Sequence, residues 1–158
     1  MLFRSIGYRL IDTASLYRNE KEVGRALQQS GLNRSEVFIT TKVGNGDQGY
    51  QQTLKAFETS LKLLNVEYVD AYLVHWPIKS TRKETWKALE YLYTTQKVRV
   101  IGVANYLVPF LEELTTYSTS VPMLDQVEFS PYCFLSDLYD YCRARQIQLQ
   151  SYTPLLRG

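Results

Sequence analysis

The sequence predicts an α/β protein of the (β/α)8 TIM-barrel class, here an incomplete barrel of about six β/α units forming one domain over residues 1–158. Three observations carry this. Runs of β-branched and aromatic residues alternate without a break with stretches of helical apolar spacing, the pattern of parallel strands joined by right-handed crossovers. A polar residue stands near the end of each strand: Asp12, Lys42, His75, Asn105, Gln126 and Tyr152, separated by 21 to 33 residues, each interval enough for one strand–helix unit. The Gly-x-Gly-x-x-Gly fingerprint of an open dinucleotide-binding sheet is missing after the first strand, where Gly7, Gly24 and Gly31 do not supply it. Polar groups at the carboxyl ends of successive strands suit a barrel instead, because there those ends share one mouth.

The elements follow in order. Tyr8 to Asp12 reads as a short first strand. Asn19 with Glu22 three residues on reads as a capping box opening a helix, with Val23, Ala26 and Leu27 at helical spacing and Gly31 suited to a left-handed C-cap. Val37 to Lys42 is the second strand, and the glycine-rich Gly44-Asn45-Gly46-Asp47-Gln48-Gly49 follows it. Tyr50, Leu54, Phe57, Leu61 and Leu64 form one apolar helical face. Val69 to Val74 is the third strand, ending at His75-Trp76-Pro77, and Trp86, Leu89 and Tyr93 mark the next helix. Val98 to Ala104 ends at Asn105, and Pro109 suits the first turn of a helix that turns Phe110, Leu111 and Leu114 inward. Met123 to Phe129 is the fifth strand, Ser136 caps a helix bearing Leu138 and Cys142, and Ile147 to Tyr152 is the sixth strand, closed by Pro154.

Composition narrows the function. Eighteen basic against 16 acidic residues leave a net charge of +2, with no basic run to mark a nucleic-acid or membrane-surface face. No segment approaches the roughly 20 apolar residues of a membrane span. Arg4 lies in a short apolar patch without an extended apolar core, so no secretory leader is expected. Cys133 and Cys142 match no metal or redox spacing, and with a single histidine they read as two reduced thiols of a cytoplasmic protein without a metal site.

If the strands are neighbours, Asp12, Lys42 and His75 end three consecutive ones, and Tyr17 reaches in from the first loop. A tyrosine hydroxyl titrates near pH 10, and a lysine ammonium beside it favours the phenolate. Asp12 would hold Lys42 and balance its charge, Tyr17 would donate a proton to a developing alkoxide, and neutral His75 would orient the same oxygen. Taken singly, each has a plainer reading. Tyr17 is one of 13 tyrosines, a strand-end Asp–Lys pair is commonly structural, and a histidine before Trp-Pro can simply end a strand. Asp70, at the start of its strand, reads as structural. Lys42 as a Schiff-base nucleophile is a further alternative, opposed by the Asp12 and Tyr17 beside it.

Gly7-Tyr8-Arg9-Leu10-Ile11-Asp12-Thr13-Ala14, with Tyr17 and Asn19-Glu20, resembles the first signature of the aldo-keto reductases. Leu73-Val74-His75-Trp76-Pro77, Ile101-Gly102-Val103-Ala104-Asn105-Tyr106 and Gln126-Val127-Glu128-Phe129-Ser130-Pro131-Tyr132 resemble later motifs in the right order. Asp47-Gln48-Gly49-Tyr50 is similar to the bacterial branch that includes diketogluconate reductases. The resemblance implies NADPH-dependent reduction of aldehydes and ketones on a (β/α)8 barrel, with a catalytic tetrad of Asp12, Tyr17, Lys42 and His75. It implies carboxamide contacts from Asn105 and Gln126, Tyr152 stacked under the nicotinamide, Thr153 and Leu155 near the pyrophosphate, and Trp76 in the substrate pocket. A small carbonyl compound is the expected partner, with no nucleic acid or membrane, and a full-length monomer is expected.

Ala104 stands where the family usually has serine, Gly44 where relatives often carry a pocket tryptophan, Leu10 for a common histidine and Asp125 for a common asparagine. Ala104 and Gly44 leave open a non-catalytic relative that binds cofactor as a structural or regulatory subunit. The family's first strand and its last strand and helix find no counterpart in the sequence. The chain is therefore expected to be an internal fragment, inactive alone and inclined to associate through its open edges.

Overall fold

A computed structural model describes residues 7–155; the apolar patch around Arg4 lies outside them. Six strands alternate with five helices: β1 (Leu10–Asp12), α1 (Glu20–Ser30), β2 (Phe38–Val43), α2 (Tyr50–Leu64), β3 (Val69–Val74), α3 (Arg82–Thr94), β4 (Val98–Ala104), α4 (Val108–Thr115), β5 (Leu124–Glu128), α5 (Ser136–Ala144) and β6 (Gln148–Tyr152). The strands form one sheet in sequence order, every pair parallel. The sheet curls so far that a β5 side chain touches one on β1. This is an incomplete (β/α)8 barrel with its strand ends gathered at one mouth.

Two apolar layers hold it. All six residues of β3 are buried, as expected of a parallel strand covered on both faces. Ala71 and Leu73 face the concave side with Leu124, flanked by Phe38 and Val100. Tyr72 and Val74 face the helices, where the Phe57 ring of α2 meets Tyr72 edge-on at 5.1 Å. Fully buried Trp86, Phe57, Leu89 and Leu111 extend this outer layer, and burial of side chains this size contributes about 2–3 kcal/mol each.

At the end opposite the mouth, Asp70 is buried and accepts from Arg34 Nη2 at 2.6 Å, Arg99 Nη1 at 3.0 Å and the Ile39 amide at 2.9 Å. One carboxylate thereby ties β3 to β2, to β4 and to the turn before β2, a structural role as its position predicts.

The ends of β2 and β5 and the start of β6 shift by one residue from their expected places, and β1, α1 and α5 correct the sequence reading further. β1 begins at Leu10, not Tyr8, although the Arg9 carbonyl still accepts from Phe38 N at 2.8 Å. Asn19 occupies the N-cap of α1, but its side chain accepts from Thr13 Oγ1 at 2.6 Å and does not cap. The reciprocal capping pair forms instead at Asn33 and Glu36, where Glu36 Oε2 accepts from the Asn33 amide at 2.7 Å. Ser136 is the first residue of α5 and leaves the N-cap to Leu135. Gly31 does end α1 in the left-handed conformation, at φ 68°, and Pro109 does lie in the first turn of α4.

Candidate active site

The site starts where β1 runs out. Thr13 N continues the ladder to Thr40 O at 2.9 Å, after which Ser15–Tyr17 forms a single 3-10 turn closed by Arg18 at φ 55°. Ser15 Oγ donates to Lys42 O at 3.2 Å, pinning this turn to the end of β2. The turn thus delivers the Tyr17 hydroxyl to the tip of Lys42.

Lys42 is fully buried, and its ammonium is shared three ways: Asp12 Oδ2 at 2.6 Å, the Thr13 carbonyl at 3.1 Å and the Tyr17 hydroxyl at 3.5 Å. Burial lowers the Lys42 pKa against the opposing pull of Asp12. An amine sealed in this way offers no approach for a carbonyl carbon, which removes the Schiff-base alternative. His75 lies across Tyr17, the rings edge-on with centroids 5.6 Å apart. Burial first, and the Lys42 charge second, push His75 down to about 4 against a smaller opposing effect of Asp12, so it is neutral near pH 7. Its Nδ1 is buried without a partner.

Tyr17 departs from expectation. Its pKa is raised, first by burial and then by the Asp12 charge. The Lys42 cation was expected to lower it, but Asp12 matches that cation at 2.6 Å against 3.5 Å for the Tyr17 hydroxyl, and burial outweighs what remains.

The amide residues join the same network. Gln126 Nε2 donates to Asp12 Oδ1 at 2.7 Å and to Gln150 Oε1 at 3.1 Å. Asn105, at φ 62°, donates from Nδ2 to His75 O at 3.0 Å and accepts at Oδ1 from the Tyr152 hydroxyl at 2.9 Å. Asn105, Gln126 and Tyr152 therefore stand on consecutive strand ends beside the tetrad. Thr153, at φ 48°, and Leu155, largely exposed, follow on the turn after β6, outside this network. Trp76 is half-exposed next to His75, and its carbonyl accepts from Gln48 Nε2 at 2.8 Å.

Sequence reading missed three participants. Thr13 and Gln150 were available from position alone, Thr13 as the neighbour of Asp12 and Gln150 by two-residue alternation with Tyr152. Gln48 sits in a glycine-rich loop and carries no local signal of its partners. Cys133 and Cys142 are free, and no group of three metal-ligating side chains occurs among the described residues. None of the described helices is long and apolar enough to cross a membrane.

Comparison with known proteins agrees with this architecture. The model of the Aldo/keto reductase family matches residues 1–158. The chain is 51% identical over 152 residues to a glyoxal reductase of Bacillus subtilis (strain 168), covering 96% of this chain and 55% of that protein. Its fold superposes on an aldo/keto reductase from Brucella melitensis with TM-score 0.93 at 44% identity, covering 96% of this chain and 60% of the other. A Bombyx mori aldo-keto reductase in complex with NADP gives TM-score 0.88 at 31% identity, covering 93% of this chain and 52% of the other. The chain spans about half the length of the curated relatives it matches.

Proposed function

The chain belongs to the aldo/keto reductase family, and we propose on that premise that the protein carrying it reduces aldehyde and ketone carbonyls to alcohols with NADPH. The observation that carries this reading is the three-way sharing of the Lys42 ammonium among Asp12, Thr13 and Tyr17.

The residues fit such a cofactor at its nicotinamide end. A carboxamide needs both a donor and an acceptor, and Asn105 and Gln126 bring two side-chain amides to adjacent strand ends, with the Tyr152 ring beside them. Thr153 and Leu155 would lie near the pyrophosphate. The chemistry that NADPH supplies when bound is a hydride for the carbonyl carbon.

The protein's own part is the proton. Tyr17 is half-exposed to the mouth and its raised pKa keeps it protonated near neutral pH, as a general acid must be. When it donates to the nascent alkoxide, the adjacent Lys42 ammonium stabilises the phenolate left behind, and Asp12 keeps that ammonium aimed. Neutral His75 donates a hydrogen bond to the substrate oxygen without competing to deliver a full proton. Trp76 lines the substrate side. Two unpaired cysteines are at home in a reducing compartment, and the reading places the protein in the cytoplasm. On its own the 158-residue chain is expected to be inactive, since β1 and β6 each pair on one side only among the described residues.

The test is Tyr17→Phe in the protein carrying this chain, assayed as NADPH oxidation with glyoxal and simple aldehydes. Turnover should fall by about 100-fold or more, with NADPH affinity unchanged. A Phe variant at full rate would remove Tyr17 from its role.

A further inference from the structure

The chemistry above makes no use of Gln48, yet Gln48 is one of the most deliberately held side chains at the mouth. It sits between Gly46 and Gly49 in the loop after β2 and is only 5% exposed. Its amide spans the gap to the loop after β3: Nε2 donates to the Trp76 carbonyl at 2.8 Å, and Oε1 accepts from Thr81 Oγ1 at 3.1 Å. The orientation of this amide is forced, because a peptide carbonyl can only accept, which leaves the amide oxygen for the hydroxyl. A parallel tie runs alongside, from Gly49 N to Thr85 Oγ1 at 2.8 Å and from Thr85 Oγ1 to Thr81 O at 2.9 Å.

From the other flank, Asn105 Nδ2 holds the carbonyl of His75. Two successive carbonyls at the end of β3 are therefore gripped by side-chain amides from two neighbouring loops. Between those grips the chain presents a ring that faces Tyr17 and an indole that is half-exposed. With its backbone fixed on both sides, the indole moves only about its own side-chain bonds.

We propose that Gln48 is a positioning residue: through its bond to the Trp76 carbonyl it fixes the wall that meets the substituent on the carbonyl substrate, and so sets selectivity for larger substrates. This rests on the reductase reading for the identity of the substrate but not for the contact itself. A two-carbon dialdehyde ends before it reaches such a wall, whereas an aryl aldehyde presses against it. Loss of Gln48 should therefore be felt in KM for the second and not for the first.

The experiment compares Gln48→Leu, which removes both bonds at similar volume, with Gln48→Glu at pH 8, which keeps the acceptor for Thr81 but loses the donor to Trp76. Acrylamide quenching of tryptophan fluorescence, read as the difference from wild type and from a Trp76→Phe background, reports on the wall, since of this chain's two tryptophans Trp86 is fully buried and Trp76 is not. Both variants should show increased quenching. KM for an aryl aldehyde should rise about fivefold, the equivalent of one hydrogen bond, while kcat, KM for glyoxal and NADPH affinity stay within about twofold, well below that one-bond effect. Unchanged quenching with unchanged KM overturns the proposal. So does a parallel loss across both aldehydes and NADPH, which would mark a general structural role. If the wild-type protein reduces no carbonyl at all, the reductase reading fails, and quenching alone decides the contact: an increase in both variants upholds it and no change overturns it.

Discussion

Gln126 on β5 donates to Asp12 on β1 across 2.7 Å, joining residues 114 positions apart in sequence and four strands apart in the sheet. The carboxylate that aims Lys42 is thus itself aimed from the far side of the curl. Its two oxygens are divided, Oδ2 to the ammonium and Oδ1 to the amide. Gln126 is consequently a support of the tetrad as well as a candidate carboxamide ligand.

Replacing this donor by an acceptor of the same shape should be worse than removing it. Gln126→Glu sets two carboxylates against each other in a largely buried place, whereas Gln126→Met leaves Asp12 short of one bond. At pH 7 the Glu variant should be less stable than the Met variant by about 1–2 kcal/mol. The gap should close as pH falls below about 4, where the glutamate introduced at 126 is protonated in the folded and unfolded chain alike. Urea unfolding at the two pH values measures it, and equal midpoints at pH 7 would show that the contact contributes nothing.

Asp125, the next residue back, is in the opposite situation. It is fully buried, and neither carboxyl oxygen makes a well-formed hydrogen bond; the Tyr106 backbone N–H acts on it from outside good hydrogen-bond geometry. Burial pushes its pKa well above the usual carboxylate range, and the Tyr106 backbone N–H offsets only part of this. Because the folded value is the higher one, the folded state retains a proton that the unfolded chain releases above about pH 4. The contribution is fully present below that point and is lost as pH rises toward the folded value, at about 1.4 kcal/mol per pH unit. Asp125→Asn abolishes this slope. Relative to wild type, the variant should gain stability as pH rises above about 4 in urea titrations; a constant difference would mean that the carboxyl is not held neutral.

Asp70 at the closed end should show what a buried carboxylate is worth when it is fully partnered. Asp70→Ala leaves the Ile39 amide without its acceptor and Arg34 without its counter-charge, a loss of about 3 kcal/mol. Arg99 is largely exposed, and Arg99→Ala should cost under about 1 kcal/mol. Thermal or urea unfolding of the two variants provides the comparison. Similar losses in both would contradict this division of roles.

The strand–helix alternation and the polar strand ends were legible because each depends on local patterning: β-branched and aromatic runs, helical apolar faces, Gly31 and Pro109 as punctuation. The gathering of Asp12, Tyr17, Lys42 and His75 was legible for the same reason, once strand ends were known to share a mouth. What sequence could not show depends on competition between partners. Asn19 fits the rule for a capping residue, but Thr13, six residues earlier, claims its side chain. The Tyr17 hydroxyl was expected to feel Lys42, but Asp12 stands closer to that cation and burial acts in the same direction as the carboxylate. Gln48 and Gln126 reach across loops and strands whose separation in sequence gives no hint of contact.

The geometry at residue 105 has a consequence for which substitutions the site can accept. The backbone there is left-handed, at φ 62°, a conformation that glycine and asparagine tolerate and that strains alanine or β-branched residues. The side chain must also donate at one end, to His75 O, and accept at the other, from Tyr152. Glycine meets the first demand and neither of the others, aspartate can accept but not donate, and serine is too short to span both. Backbone and side chain thus choose independently, and asparagine meets both demands at once.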